Sequence, residues 1–479
     1  MEKQIEMRAD KAPAVPRILL IKSPQNDPTW RQITHPLGLM CIAAYLRKNY
    51  QYEIKIEDMR LSGNGSCDLE SVIRGFTPDV VGISALTHES DALPRIAECV
   101  KRVNANTPVL LGGPHATAYP EKAIQVTGID YLVVGEGEIP AGRLIECLLH
   151  RRDVSDIKGI VYKKDHRVFS NGRGDFIENL NDLPMSAYDL ISINAYGNFD
   201  SMSRMGFENY MSIFTSRGCP FHCIYCHNIF GKVFRCRSAE NLFNEIKYLY
   251  DTCKIRSFEI LDDIFNLDRE RLIDFCDRII NSDMKVTFAF PNGLRSDLLD
   301  ELQLLKLRQA GTVFIGFAVE TGSPRLQKRI KKNIKLDKIK KNIEIAHSLR
   351  IHAHGFFMMG FPGETQEEMK MTVDFMLSSK LHTCALFVVV PFEGTELGSI
   401  SREMGNVPVS DFTMSYHTKE FVNLTEVPSV KINRLRRNAL LKFYLNPFRI
   451  FALVRDFPNK RVLGKLCILF FRRLWWRAQ

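Results

Sequence analysis

Short apolar runs alternate, in the first third of the chain, with segments whose apolar residues recur at helical spacing. The strand-like runs are RILLIKS (17–23), VVGIS (80–84), PVLLGG (108–113) and YLVVG (131–135). Segments such as LMCIAAYLRKN (39–49) and ALPRIAECVKRVN (92–104) lie between them and have a helical period. Strands that are apolar on both faces and alternate with helices form covered parallel sheets. Residues 16–152 are therefore predicted to form a doubly wound, Rossmann-like α/β domain.

A second series of strands and helices begins near residue 208. Its six strand candidates are MSIFTSRG (211–218), FEILDD (258–263), KVTFAFPNG (285–293), TVFIGFAVET (312–321), AHGFFMMGFPG (353–363) and CALFVVVPF (384–392). Six strands are too few for a complete eight-stranded barrel. Residues 208–400 are therefore predicted to form a partial (β/α)6 barrel. In parallel barrels the reactive side chains gather at the carboxyl ends of the strands.

Three further segments lack this alternation. The polar residues 1–15 are predicted to be disordered. Residues 153–207 are rich in turn residues, contain a hairpin-like stretch at 158–172, and are predicted to form a linker. Residues 401–479 mix aromatic, aliphatic and basic side chains and are predicted to form a helical basic extension.

The positive charge of the protein is concentrated in that extension. The net charge is +10, but residues 431–479 contain thirteen Lys or Arg and one acid, which gives +12 for this segment alone and about −2 for the rest. Three interpretations of the tail are open: helices packed on the barrel, a membrane-surface contact, or a nucleic-acid contact. Nucleic acid is the least favoured, because no appended RNA-binding barrel is evident.

Two observations indicate a cytoplasmic protein. The chain has no run of eighteen apolar residues, and its amino terminus lacks the apolar core of a signal peptide. Most of the twelve cysteines are scattered along the chain. In a reducing compartment a cluster of thiols indicates metal or redox chemistry rather than disulfides.

One such cluster is present, in SRGCPFHCIYCHN (216–228), where three cysteines follow a strand at CxxxCxxC spacing. Three thiolates can hold an iron–sulfur cluster and leave one iron of a cubane open. A structural zinc site would need a fourth ligand, for which His222 or His227 is available. From the residues alone, both interpretations remain open.

The loop resembles the cysteine loop of the radical S-adenosylmethionine (SAM) superfamily, which has an aromatic residue before its last cysteine. The resemblance implies that Cys219, Cys223 and Cys226 hold a 4Fe–4S cluster whose open iron binds SAM. It also implies reductive cleavage of SAM to a 5′-deoxyadenosyl radical, with electrons from a flavodoxin- or ferredoxin-type donor.

Later motifs resemble those of the same family in the expected order. The resemblance assigns five residues to SAM: Tyr225, Asp262, Asp263, Glu320 and Gly360. Asp262 and Asp263 would hold the amine, Glu320 the ribose, and the Gly360 strand would pass under the adenine. An aspartate after a strand is also a common helix N-cap, so that role stays open for either one.

The amino-terminal domain resembles the cobalamin-binding domain that is fused to many radical SAM enzymes. The resemblance assigns five residues to cobalamin: Ser84, Leu86, Gly112, Gly113 and Glu136. The DxHxxG motif that supplies a lower cobalt ligand in other cobalamin domains is absent from residues 22–38. His115 is either a neighbour of the corrin or a loop residue with a hydrogen-bonding role.

The resemblance therefore implies a cobalamin-dependent radical SAM enzyme, and most directly a methyltransferase that acts on an unactivated carbon. A radical SAM oxidative cyclase, or another non-methylating enzyme, is the first alternative. A zinc-stabilised protein that binds membrane or RNA is the alternative of another class. The substrate is expected to be a small or lipid-like molecule. For the tail, helices packed on the barrel are slightly favoured over peripheral association with the inner membrane face, which stays open.

Overall fold

A computed structural model describes residues 15–25, 32–61, 68–165, 167–227, 229–406, 421–460 and 463–464. The predicted disorder of residues 1–15 falls almost wholly outside this part of the chain, and so does the end of the predicted helical extension. The chain forms two compact units. The first comprises Met1–Pro24, Gly38–Asp175 and Ser186–Ile191, and the second comprises Gln25–Leu37, Phe176–Met185 and Ser192–Gln479.

The first unit is built on a seven-stranded sheet in the order β2-β1-β3-β4-β5-β6-β7. Its strands are β1 Arg17–Lys22, β2 Glu53–Asp58, β3 Val80–Ser84, β4 Val109–Gly112, β5 Tyr131–Val133, β6 Ile160–Lys164 and β7 Arg167–Ser170. Its helices are α1 Leu37–Asn49, α2 Leu69–Phe76, α3 Leu93–Val103, α4 Pro114–Ala118, α5 Pro120–Ala123 and α6 Glu138–Leu149. The first five strands are parallel, as the apolar alternation predicts.

Burial explains why these segments form a covered sheet. All residues of β1 after Arg17 are buried, and so are the apolar positions of α3 that face the sheet. The hairpin β6–β7 continues this sheet because β6 pairs antiparallel with β5. The first unit therefore extends to Asp175, beyond residue 152, where the sequence pattern places the end of the domain.

The second unit contains a six-stranded parallel sheet in the order β15-β14-β13-β12-β11-β8, which is the predicted partial barrel. Its strands are β8 Tyr210–Ile213, β11 Ser257–Ile260, β12 Thr287–Leu294, β13 Thr312–Glu320, β14 His352–Met359 and β15 Thr383–Val388. A small antiparallel pair is formed by β9 Ser216–Arg217 and β10 Arg235–Cys236. The helices are α7 Ala239–Asp251, α8 Arg269–Ile280, α9 Glu301–Gln309, α10 Pro324–Arg329, α11 Leu336–Ser348, α12 Gln366–Ser378, α13 Glu396–Glu403, α14 Ser429–Tyr444 and α15 Pro447–Asp456.

The last two helices cover the open edge of this sheet at strand β15. The Tyr444 hydroxyl donates to the carbonyl of Cys384 (2.7 Å) and accepts from its amide (3.0 Å), so it satisfies an edge residue that has no strand beyond it. His382 Nε2 lies 3.0 Å from the Asp456 carboxylate, and both side chains are buried. Among the described residues, no helix is both long enough and apolar enough to cross a bilayer.

Candidate functional site

The cysteine loop leaves the carboxyl end of β8 and is shaped by its backbone. Gly218 has φ +84°, and a Cβ there would lie 2.3 Å from the Val233 carbonyl oxygen, so only glycine fits this close approach. The Cys219 amide donates to the Gly231 carbonyl (3.3 Å), which holds the loop against its own return segment. The loop therefore keeps its cysteines on one side of the barrel end.

The three thiols have the accessibility expected of cluster ligands. Cys219 and Cys223 are half-buried, and Cys226 is exposed. Burial raises the pKa of Cys219, and desolvation of the Cys226 sulfur together with the negative charge of Cys223 raises the pKa of Cys226 to about 11. Three thiolates in one loop therefore need a compensating positive charge, which an iron–sulfur cluster supplies. The donor set, three sulfurs without a fourth, fits a cubane with one open iron.

The histidines considered for zinc are placed differently. His222 is exposed, and the His227 ring lies 6.0 Å from the ring of Phe392. Within the described residues, no three Cys, His, Asp or Glu side chains converge as the ligands of a single metal ion would.

The adjacent carboxylates after β11 occupy two different environments. Asp262 is buried and accepts hydrogen bonds from the Thr215 amide (2.6 Å), the Thr215 hydroxyl (2.5 Å) and the Ser216 hydroxyl (2.6 Å). Asp263 is exposed and contacts the Gly218 backbone. Partial desolvation of its carboxylate and the neighbouring Asp262 raise the pKa of Asp263 to about 6. The structure thus leaves Asp263 open to a ligand at the cysteine loop, whereas Asp262 is occupied by the protein.

Glu320 ends strand β13 in a strained conformation, with φ +67°. It is buried, and its carboxylate pairs with Lys332 Nζ (3.1 Å). Burial lowers the pKa of Lys332, but Glu320 and Cys223 more than offset this effect and leave it raised. Tyr225 lies beside the same carboxylate, and burial and Glu320 raise the pKa of its phenol. Glu320, Tyr225 and the cysteine loop therefore form one group.

Gly360 follows β14 with φ +96°, and a Cβ there would lie 3.1 Å from a Val388 methyl group. The Glu364 carboxylate accepts from the amides of Gly360 (2.5 Å) and Phe361 (3.0 Å) and so fixes this turn. Burial raises the pKa of Glu364 to about 7. The sequence-based assignment does not include Glu364 or Lys332. Glu364 lies within the motif GFPGET, so the sequence offers a signal for it. No local motif marks Lys332 as a residue of the site.

In the first unit, three of the predicted cobalamin residues lie together. Ser84 and Gly112 are register partners at the carboxyl ends of β3 and β4. Gly113 follows with φ +88°, and a Cβ there would lie 2.8 Å from the Ser84 hydroxyl oxygen. Glycine at position 113 therefore lets the turn after β4 pack directly against Ser84 and Ala85, at the sheet edge where ligands of doubly wound domains bind.

The other predicted residues of this domain lie in its loops. The Leu86 amide donates to Glu89 (2.6 Å), whose buried carboxylate also pairs with Lys22 at the end of β1. Glu136 is buried near the start of α6. His115 is also buried, its ring lies 5.7 Å from that of Tyr119, and its Nδ1 has no hydrogen-bond partner among the described residues. Lys22 and Glu89 are 67 residues apart, and no local pattern in the sequence marks them as a pair.

Comparisons with known proteins agree with this arrangement. A model of the B12 binding domain matches residues 29–145, and a model of the Radical SAM superfamily matches residues 213–376. They confirm the predicted cobalamin-binding and radical SAM domains, and with them the predicted cofactors: cobalamin, SAM and a 4Fe–4S cluster.

Similar proteins include two kinds of enzyme. An uncharacterized methyltransferase of Pyrococcus horikoshii is 29% identical over 97% of this chain and 100% of its own. An anaerobic magnesium-protoporphyrin IX monomethyl ester cyclase of Rubrivivax gelatinosus is 24% identical over 88% of this chain and 74% of its own. The solved radical SAM methyltransferase TsrM of Kitasatospora setae aligns with TM-score 0.66 and 16% identity over 81% of this chain and 75% of its own, which shows a shared fold.

Proposed function

We propose that this chain, a radical SAM enzyme that carries a B12 binding domain, transfers a methyl group from SAM to an unactivated carbon of its substrate. The observation that carries the proposal is a loop of three thiols beside Asp263 and Glu320 in the same chain as a cobalamin domain. Such carbons are neither acidic nor nucleophilic, so a polar methyl transfer from SAM does not reach them. When bound, the cofactors supply the radical and the methyl group.

In this proposal the protein binds the cofactors, orients them and shields them. Cys219, Cys223 and Cys226 hold the cluster through their thiolates. Asp263 accepts hydrogen bonds from the SAM amine, and Glu320, kept in place by Lys332, accepts from the ribose hydroxyls. The proposal gives Asp262 a positioning role, because its oxygens already accept from Thr215 and Ser216.

The fixed turn at Gly360 supports an adenine contact in the same group. The Gly360 and Phe361 amides are held by Glu364, so the strand end has a defined shape. In the first unit, Ser84, Leu86, Gly112, Gly113 and Glu136 are proposed to contact cobalamin. The grouping of Ser84, Gly112 and Gly113 at the carboxyl ends of β3 and β4 supports this assignment, because ligands of such sheets bind at that edge.

The surroundings of the reaction also follow from its chemistry. Cleavage of SAM by a reduced cluster needs a one-electron donor, for which we propose a flavodoxin- or ferredoxin-type protein. Free thiols and such a donor belong to a reducing compartment, so we propose that the protein acts in the cytoplasm. The proposed substrate is a small or lipid-like molecule.

The test needs no identified substrate for its first readout. Protein reconstituted anaerobically with iron, sulfide and hydroxocobalamin is given SAM with a deuterated methyl group and a low-potential reductant. We expect about four irons per chain, release of deoxyadenosine, and deuterated methylcobalamin. The triple variant C219A/C223A/C226A should lose the iron and the deoxyadenosine and serves as the control.

Two results would overturn the proposal. A small-molecule extract can be added as a source of substrate. If deoxyadenosine is released but the deuterium label appears neither in cobalamin nor in any compound of the extract, the cyclase alternative is favoured. A colourless protein with one zinc and no deoxyadenosine favours the binding protein of another class. The first of these alternatives is supported by the similarity to the magnesium-protoporphyrin cyclase.

A further inference from the structure

Helix α15 turns an apolar face outward, which reverses the usual arrangement of a helix packed on a protein surface. Its inner face contains the buried residues Ala452 and Asp456. On its outer face Phe448 is 84% exposed and Phe451 is 67% exposed. The exposed apolar residues of this face are Phe448, Ile450, Phe451 and Val454, and the exposed Leu445 lies in the turn just before the helix. Five large apolar side chains within ten residues are therefore left uncovered by the described part of the chain.

The neighbouring helix α14 is basic on its exposed side. Its exposed cations are Lys431, Arg434, Arg437 and Lys442, and residues 429–444 contain no acid. The acid that follows, Asp456, is buried and pairs with His382 and Arg455. Helices α14 and α15 pack against each other in the same unit. The pair thus presents a basic ridge beside an apolar ridge, without exposed acidic residues to balance the charge.

We propose that helices α14 and α15 form a docking surface for the anionic face of a lipid bilayer. The exposed phenylalanines enter the boundary between headgroups and acyl chains, and the lysines and arginines of α14 contact the anionic headgroups. The sequence continues with the same composition in FFRRLWWR (470–477). This inference concerns residues that have no role in the proposed methyl transfer and does not rest on it.

Two other occupants fit the surface less well. Two copies of the chain would bring like charges together, because a symmetric interface places the same patch on both partners. RNA would use the cations and the rings of Phe448 and Phe451, but the aliphatic side chains of Leu445, Ile450 and Val454 offer its bases and phosphates neither a stacking plane nor a hydrogen bond. An anionic bilayer matches both ridges, because its charged layer lies directly above an apolar one.

The experiment is co-sedimentation of the full chain with vesicles of phosphatidylcholine, or of phosphatidylcholine and phosphatidylglycerol at a seven-to-three ratio. We expect at least tenfold stronger binding to the anionic vesicles and a tenfold loss when salt rises from about 0.1 M to about 0.5 M. The variants F448Q/F451Q and R434Q/R437Q should each lose about tenfold or more. L302Q/L305Q, which changes exposed leucines on α9, is the matched control and should bind like the unchanged protein.

Other results would overturn the inference. Equal binding to neutral and anionic vesicles, or full binding by F448Q/F451Q, contradicts it. A dimer that F448Q/F451Q converts to a monomer, without vesicle binding, makes the surface a contact between copies. Binding of a mixed-sequence RNA that R434Q/R437Q abolishes, again without vesicle binding, makes it an RNA site. Vesicle binding needs no iron, SAM or cobalamin. A protein that fails to bind vesicles can therefore be distinguished from one that fails to transfer a methyl group.

Discussion

Asp262 and Asp263 are adjacent in sequence, yet we expect their amide variants to fail in opposite ways. In Asp262→Asn the side-chain amide nitrogen would face the hydroxyls of Thr215 and Ser216, which now donate to one carboxylate oxygen. The Thr215 hydroxyl already accepts from Arg271 (2.6 Å), so it cannot easily reverse its role. Two hydrogen bonds to a buried charge would be lost, at roughly 1.5 kcal/mol each, or about 3 kcal/mol in total.

Asp263→Asn should lower the activity and leave the free energy of unfolding almost unchanged. The side chain is exposed and keeps an oxygen that can accept from the Gly218 backbone, so the free energy of unfolding should change by less than about 0.5 kcal/mol. Loss of the charge facing the SAM amine should instead lower deoxyadenosine release at least tenfold. Asp262→Asn protein that has folded should retain most of this activity per bound cluster.

The assay pairs urea unfolding of the apo protein, followed by circular dichroism, with deoxyadenosine release by the reconstituted protein. With a denaturant slope of about 3 kcal/mol per molar, Asp262→Asn should lower the urea midpoint of the second unit by about 1 M. If Asp262→Asn leaves the midpoint unchanged while Asp263→Asn cleaves SAM normally, the assignment of the two carboxylates is wrong.

The remaining predictions concern other parts of the molecule. Gly113→Ala would place a methyl group 2.8 Å from the Ser84 hydroxyl at φ +88°, so cobalamin affinity, measured by absorbance titration, should fall about tenfold or more. Burial lowers the pKa values of His354 and His382 to about 4, so between pH 6.5 and 4 the unfolded chain binds protons that the folded chain does not. Stability should therefore be complete above pH 6.5 and fall by about 1 kcal/mol per histidine by pH 5.5; an unfolding midpoint that is flat over this range would contradict it. Tyr444→Phe removes both hydrogen bonds to one residue of edge strand β15, so its amide should exchange hydrogen faster and stability should fall by about 2 kcal/mol.

Local patterns were sufficient to predict both sheets. Strands that are apolar on both faces and alternate with helices can be buried only in a covered parallel sheet, and both units have that arrangement. The cysteine spacing and the motifs after the strands are local features too, so the sequence shows them directly. Parallel strands then bring these motifs together, because their carboxyl ends lie at one edge. The hairpin at 158–172 was also recognised, but its place in the first sheet depended on pairing with β5.

By itself, then, the sequence determined the alternation of strands and helices, the three thiols in one loop, and the set of motifs that follow the strands. Tertiary structure alone decided which aspartate faces the cysteine loop, that Lys332 holds Glu320, and that α15 turns its phenylalanines outward. The physical reason is distance along the chain. Periodicity and spacing record what neighbouring residues do, whereas the direction and partner of a side chain are set by segments beyond the local repeat, from twelve residues away for Lys332 and Glu320 to 47 for Thr215 and Asp262.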